Sequence, residues 1–301
     1  MSSWDGKSRS GVLGYKIFVL TLRHGGLLPA YFILLFVSLY FFLFSRSSSR
    51  FSYLFFRNRI GFSRFKSVRS VYCNYFVFGQ TLIDRVAVIA GLSNKFTYDF
   101  DGEEHLHQIV DEGKGGILIS AHVGNWEVAG HLLYRIKTKI NVLIHEAEHE
   151  QVKHYLEGVK GKGNMNVIVM KDDFSHIYDI SKALENGEIL CLHGDRYMSW
   201  SKTIHAHFLG DKAHFPQGPF AMAVGFRVPV SYVFAMKEDI HHYHFSATSP
   251  KIYSSNTRVN KQELAENALN DFIQTAENTV RKYPLQWFNY YDFWQPRHKN
   301  L

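Results

Sequence analysis

The residues best placed to do chemistry are His122 and Glu127, within His122-Val123-Gly124-Asn125-Trp126-Glu127. An imidazole exchanges a proton near neutral pH, and a carboxylate can orient it and stabilise the imidazolium that forms. Five positions separate the two, so a regular helix does not stack them. A turn at Gly124-Asn125 could bring them together. The residue types also admit a plainer arrangement, a strand-end histidine bonded to backbone beside a glutamate that the helix dipole favours in the first turn. Upstream, Gly115-Gly116-Ile117-Leu118-Ile119-Ser120 reads as a buried parallel strand. Downstream, Val128-Ala129-Gly130-His131-Leu132-Leu133-Tyr134 continues at helical spacing. Open α/β sheets hold their ligands beyond the carboxyl ends of strands, which is where His122 and Glu127 fall.

Other clusters carry competing chemistry. His145-Glu146-Ala147-Glu148-His149 fits the His-Glu-x-x-His zinc pattern of metallohydrolases, which requires both histidines on one helix face. Here His145 follows the strand-like Ile140–Ile144 directly, and no third ligand stands at a familiar spacing. His205-Ala206-His207 and His241-His242-Tyr243-His244 read as alternate strand faces and exposed loop positions among 17 histidines. Cys191 shares a strand face with His193 but sits in an apolar run, where a thiol is inert.

The elements that must position these groups alternate in α/β fashion from about residue 101. Strands are expected at Ile140–Ile144, Val167–Met170, Glu188–Leu192, Val228–Ala235 and Tyr243–Thr248. Helices are expected around 148–158, at Phe174–Asn186 with Asp172 or Asp173 as cap, at Gly218–Phe226, and at 261–282 behind Asn260 and Glu263. The fold class that follows is α/β, with a mixed, mainly parallel sheet flanked by helices. Ahead of it, residues 51–100 read as a basic helical layer able to rest on lipid. Within residues 1–50, Leu27–Phe44 is an 18-residue run without a charge, slightly short of the roughly 20 residues of a full span. No small-x-small cleavage site follows it, so it reads as a retained membrane anchor rather than a signal peptide. Basic residues on both sides (Arg23; Arg46, Arg50, Arg57, Arg59) give no orientation. The catalytic part is assigned to residues 101–295.

The chain has 301 residues and a net charge of +7, with 25 Phe and 17 Tyr. That balance suits an anionic partner, and the aromatic-rich N-terminus with no groove-reading motif points to a membrane rather than to nucleic acid. Two cysteines are too few for a disulfide framework.

The His122–Glu127 motif resembles the first motif of the glycerolipid-type acyltransferases, and its Gly-Asn-Trp centre is similar to the late acyltransferases of lipid A biosynthesis. Three further stretches extend the resemblance in order: His193-Gly194-Asp195-Arg196, like the family's acidic motif; Phe215-Pro216-Gln217-Gly218-Pro219-Phe220; and Tyr283-Pro284-Leu285-Gln286-Trp287-Phe288. The resemblance covers nearly the whole chain. It implies an inner-membrane acyltransferase whose catalytic domain faces the cytoplasm and moves an acyl chain from acyl carrier protein or coenzyme A to a lipid A precursor, without a metal or other cofactor. His122 would be the base and Glu127 its partner, with Asn125, Asp195, Arg196, Phe215, Gly218 and Pro219 against the substrates. The acidic motif departs from the family's tandem of acids, and none of Lys153, Lys160, Lys162 or Lys171 is assigned as the family's intervening basic residue. These departures keep another lipid, or a polyene pigment head group, open as acceptor. A zinc hydrolase built on His145, Glu146 and His149, and a non-catalytic membrane scaffold, are the rival readings.

Overall fold

The computed structural model describes residues 20–22, 25–89, 91–92, 95–128, 136–145, 165–171, 173, 175–198, 201–254 and 260–294. Expectations for Glu146, His149 and the 148–158 helix lie outside them. The N-terminal layer comprises α1 (Leu27–Phe44), α2 (Arg46–Leu54), a π-helical turn (Phe55–Arg59) and α3 (Arg64–Ile89). The sheet strands are β1 (Thr97–Asp101), β2 (Gly116–Ser120), β3 (Ile140–His145), β4 (Met165–Met170), β5 (Ile189–His193), β8 (Val230–Lys237) and β9 (His242–Ala247). Interspersed are α4 (Glu103–Asp111), α5 (His176–Glu185), a hairpin of β6 (Thr203–Phe208) and β7 (Asp211–Pro216), α6 (Gln217–Phe226) and α7 (Lys261–Lys282).

The seven strands are ordered β1-β9-β8-β2-β5-β3-β4, and every pairing is parallel except β8 with β9. This is the expected α/β class. The wholly buried β2 lies between β5 and β8, as its continuous apolar run requires. Its side chains alternate between two layers. Ile117 and Ile119 join the core with Phe220 of α6 and Phe272 of α7, whereas Leu118 packs with Leu106 and Ile109 of α4. Helix α7 buries Ala265, Ala268, Leu269, Phe272, Ile273, Ala276 and Val280, and its cap is Asn260, whose side chain accepts the Gln262 N–H. Residues 97–100, read as the end of the helical layer, instead belong to the edge strand β1, and the short helix α4 follows within the alternating α/β part.

Helix α1 packs antiparallel along α3. Its Leu27, Ala30, Tyr31, Leu34 and Ser38 face inward at helical spacing. Leu34 fills a notch at Gly79, where a Cβ would stand 2.3 Å from its Cδ1. The inner end of the contact is polar. Asp84 of α3 accepts from Lys237 Nζ at 2.7 Å and from the hydroxyls of Tyr31 and Tyr243. All four side chains are buried.

Candidate active site

Register along the sheet builds the site. Ser120 of β2 is aligned with His193 of β5. Two residues beyond each, the chain carries His122 and Asp195, which therefore emerge together. The His122 N–H donates to Asp195 Oδ2 at 3.0 Å, and His122 Nδ1 lies 2.8 Å from Asp195 Oδ1. A carboxylate only accepts, so this bond fixes the proton on Nδ1 and leaves Nε2 as the basic nitrogen. Asp195 is buried. Burial alone would raise its carboxyl, but the His122 imidazole and its hydrogen bond, then Arg196 and His193, hold it well below the usual carboxylate range.

Glu127, expected as the partner of His122, is engaged elsewhere. It lies at the start of the helical turn beginning at Trp126, and its Oε1 accepts from Arg85 NH1 of α3 at 2.7 Å. The Nδ1 bond belongs to Asp195 because strand register, not the five-residue turn, sets which carboxylate meets the imidazole. Sequence reasoning missed Arg85, because nothing in its helical stripe marks it as the partner of a residue 42 positions away.

His193 completes the group. Its ring is 4.3 Å from that of His122 and 5.4 Å from Trp126. Desolvation first, then the neighbouring His122, push its pKa down to about 3, so its imidazole is neutral at ordinary pH.

The turn bearing His122 is sewn in from two sides. Gly124 N–H donates to Gln286 O at 2.9 Å, Phe288 N–H to His122 O at 3.1 Å, and Asn125 N–H to Ala235 O at 2.7 Å. Gly124 has φ +71°, and a Cβ there would stand 2.0 Å from Ala235 O, so only glycine fits. Gln286 in turn pairs both side-chain amide atoms with the Lys237 main chain, at 2.9 and 2.7 Å. The Tyr283–Phe288 stretch thus serves the site as its brace.

Several residues expected against the substrates are enclosed. The Asn125 side-chain amide donates to Thr81 O and to the Tyr243 hydroxyl, each at 3.1 Å, while its oxygen accepts the Val128 N–H as a helix cap. Phe215 is almost wholly buried against Phe208, Phe272 and Phe293. Pro219 is buried in α6, one residue before Phe220, whose ring lies beneath Gly194 of the acidic turn. Gly218 is open to solvent, and Arg196 donates to Phe288 O at 2.8 Å. Cys191 carries a thiol that burial pushes up to about 12, in keeping with an inert core group. His145 ends β3, and among the described residues no three His, Cys, Asp or Glu side chains are grouped to hold a metal.

No curated protein matches the chain. The family model for bacterial lipid A biosynthesis acyltransferases matches residues 73–295, a span that contains His122, Asp195, the α6 turn and the Tyr283–Phe288 brace. The chain therefore belongs to the bacterial lipid A biosynthesis acyltransferase family.

Proposed function

We propose that the protein transfers a fatty acyl chain from a thioester donor, acyl carrier protein or coenzyme A, to a hydroxyl of a lipid A precursor. His122 Nε2 takes the proton of the acceptor hydroxyl as its oxygen attacks the thioester carbonyl. Asp195 holds the imidazole by Nδ1 and stabilises the imidazolium, the orienting role that residue types alone suggested for Glu127. Backbone N–H groups in the turn that starts at Trp126 face the developing oxyanion. As the tetrahedral intermediate collapses, the C–S bond breaks and the thiolate leaves with the proton returned by the imidazolium. No covalent enzyme intermediate is formed. Glu127, locked to Arg85, fixes the start of that turn against α3, and Gly218 and Arg196 remain the residues assigned to the substrate side.

The observation that carries this reading is the two-point contact between His122 and Asp195, at 3.0 and 2.8 Å, within the family match. The family is membrane associated, and we assign the enzyme to the inner membrane with its site on the cytoplasmic side. The test follows labelled acyl chain from acyl carrier protein into extracted lipid. His122→Ala is expected to lose about 10²–10⁴-fold in turnover while keeping the wild-type melting profile. Near-normal transfer by a folded His122→Ala protein overturns the mechanism. Mass spectrometry of the product identifies the acceptor, and a gain of one acyl chain on a lipid outside the lipid A series replaces the acceptor proposed here.

A further inference from the structure

The fold gives α1 two unlike faces. One is packed on α3; the other presents Leu28, Phe32, Phe36, Leu39, Leu43 and Phe44, each 44–70 % exposed. A patch of this size needs a cover. A spanning helix is the obvious solution, and the structure argues against it. From Asn74 to Asp84, α3 is fastened to the catalytic part. Asn74 donates to Leu285 O and Trp287 O at 2.9 and 3.2 Å, the rings of Tyr75 and Tyr290 stack at 5.2 Å, and Asp84 pairs with Lys237. Helix α1 lies along that same α3, from Tyr31 beside Asp84 to Phe41 and Phe42 beside Tyr75 and Tyr72. Pushing α1 lengthwise through a bilayer would drag this polar framework with it. The apolar part of the pair is also too short. From Arg69 to Asp84, α3 rises about 22 Å, against about 30 Å of hydrocarbon.

The charge pattern identifies what covers the face. Arg46, Arg50, Arg57, Arg59, Arg64, Lys66 and Arg69 fall in a stretch without a single Asp or Glu. These seven equal the whole net charge of +7. All except Arg59, which pairs with Asp211, are well exposed. Among them Phe65 is 82 % exposed and Val68 45 %. Phe65, Val68 and Arg69 share the α3 face of Tyr72, whose hydroxyl donates to Leu35 O on the open side of α1. Aromatic, aliphatic and basic groups therefore continue one surface.

We infer that this surface is a monotopic membrane-binding face: α1 lies in the plane of the bilayer with its open stripe in the acyl boundary, and the 46–69 segment binds anionic lipid phosphates beside it. A basic rim around an apolar stripe is what an anionic interface recognises. An acidic protein would leave the uncharged stripe uncovered. The inference stands on this surface alone. Its test reads membrane binding rather than turnover, so it fails or holds separately from the acyl-transfer reading.

The experiment uses the full chain with Cys73→Ser and Cys191→Ala, bound to phosphatidylcholine vesicles containing phosphatidylglycerol. Single cysteines at Phe32, Phe36 or Leu43 carry a spin label whose depth is measured. An in-plane helix puts all three labels at one shallow depth, although Phe32 and Leu43 are about 16 Å apart along the axis. Depths graded along the helix show a span and overturn the inference. The triple variant Arg64→Gln/Lys66→Gln/Arg69→Gln, checked for an unchanged melting profile, is expected to bind the vesicles on the order of 100-fold more weakly. Unchanged vesicle affinity in that variant, with lost affinity for acyl carrier protein, assigns the basic segment to the carrier and overturns the lipid assignment. Failure of the full chain to bind vesicles, with dimers in solution, makes the stripe a contact between copies and also overturns it.

Discussion

Asp195 touches His122 twice, and the two bonds predict what each substitution does. Asp195→Asn keeps the shape but loses the charge and can present its amide to Nδ1, favouring the wrong tautomer. Turnover should fall by about 10³–10⁴-fold with the fold intact, read by the labelled-acyl assay alongside thermal melting. Glu127→Gln is also expected to impair turnover, but through the Arg85 contact, so Arg85→Met should reproduce most of its loss. A harmless Arg85→Met beside a dead Glu127→Gln would return Glu127 to direct chemistry. His193 supplies a pH test. Its folded pKa of about 3 lies below its ordinary 6.5, so between these values the unfolded chain binds the extra proton. Its contribution is fully favourable above pH 6.5 and is lost as pH falls toward 3, by about 1.4 kcal/mol per unit. Denaturation midpoints measured between pH 7 and 4 should therefore drop less steeply in His193→Gln than in the wild type. Parallel slopes would show that His193 is protonated in the folded protein.

At the scale of elements, much of the core was legible because burial writes itself into composition. The run Gly116–Ser120 had to be a buried strand, and helical spacing picks out the α7 stripe as Leu264, Ala268, Leu269, Phe272, Ile273, Ala276 and Val280. All of these but Leu264 are buried, Ala265 taking its place. The edge strand β1 (Thr-Tyr-Asp-Phe-Asp) was not legible, since its side chains are mostly exposed and its pairing with β9 is set at long range. The partner of His122 escaped for the same reason, as strand register links residues 73 apart and leaves no periodic trace. The same holds for the junction of α1, α3, β8 and β9, where Tyr31, Lys237 and Tyr243 converge on Asp84. That junction reaches the site through the Tyr243 hydroxyl, which accepts from Asn125. Asp84→Ala strands the buried Lys237 and should cost about 3–5 kcal/mol. Tyr31→Phe removes one hydrogen bond to the carboxylate and should cost about 1.5–3 kcal/mol. Both are read as lowered melting temperatures in detergent. Wild-type stability in Asp84→Ala would show that the ion pair does not hold the helical layer to the sheet.

For the whole molecule, the question is whether the first 50 residues are a tether or part of the body. A tether can be cut away to leave an intact catalytic domain, because few contacts cross its boundary. Here Leu27, Ala30, Tyr31 and Leu34 are packed into one cluster with Ile83, Val86 and Ala87 of α3 and with Tyr243 and Phe245 of β9. Deleting residues 1–50 uncovers that cluster and removes one of the three donors to Asp84. Each large apolar side chain returned to water costs about 1.5–3 kcal/mol, so the loss is comparable with the stability of an ordinary domain. The truncated chain should therefore melt well below the full chain in the same detergent, self-associate when detergent is diluted, and lose acyl transfer together with vesicle binding. Adding vesicles should not restore it, because the missing contacts are within the protein. A truncated chain that stays monomeric without detergent and melts with the full-length protein would show that α1 is a removable anchor, and that its packing on α3 contributes little to the fold.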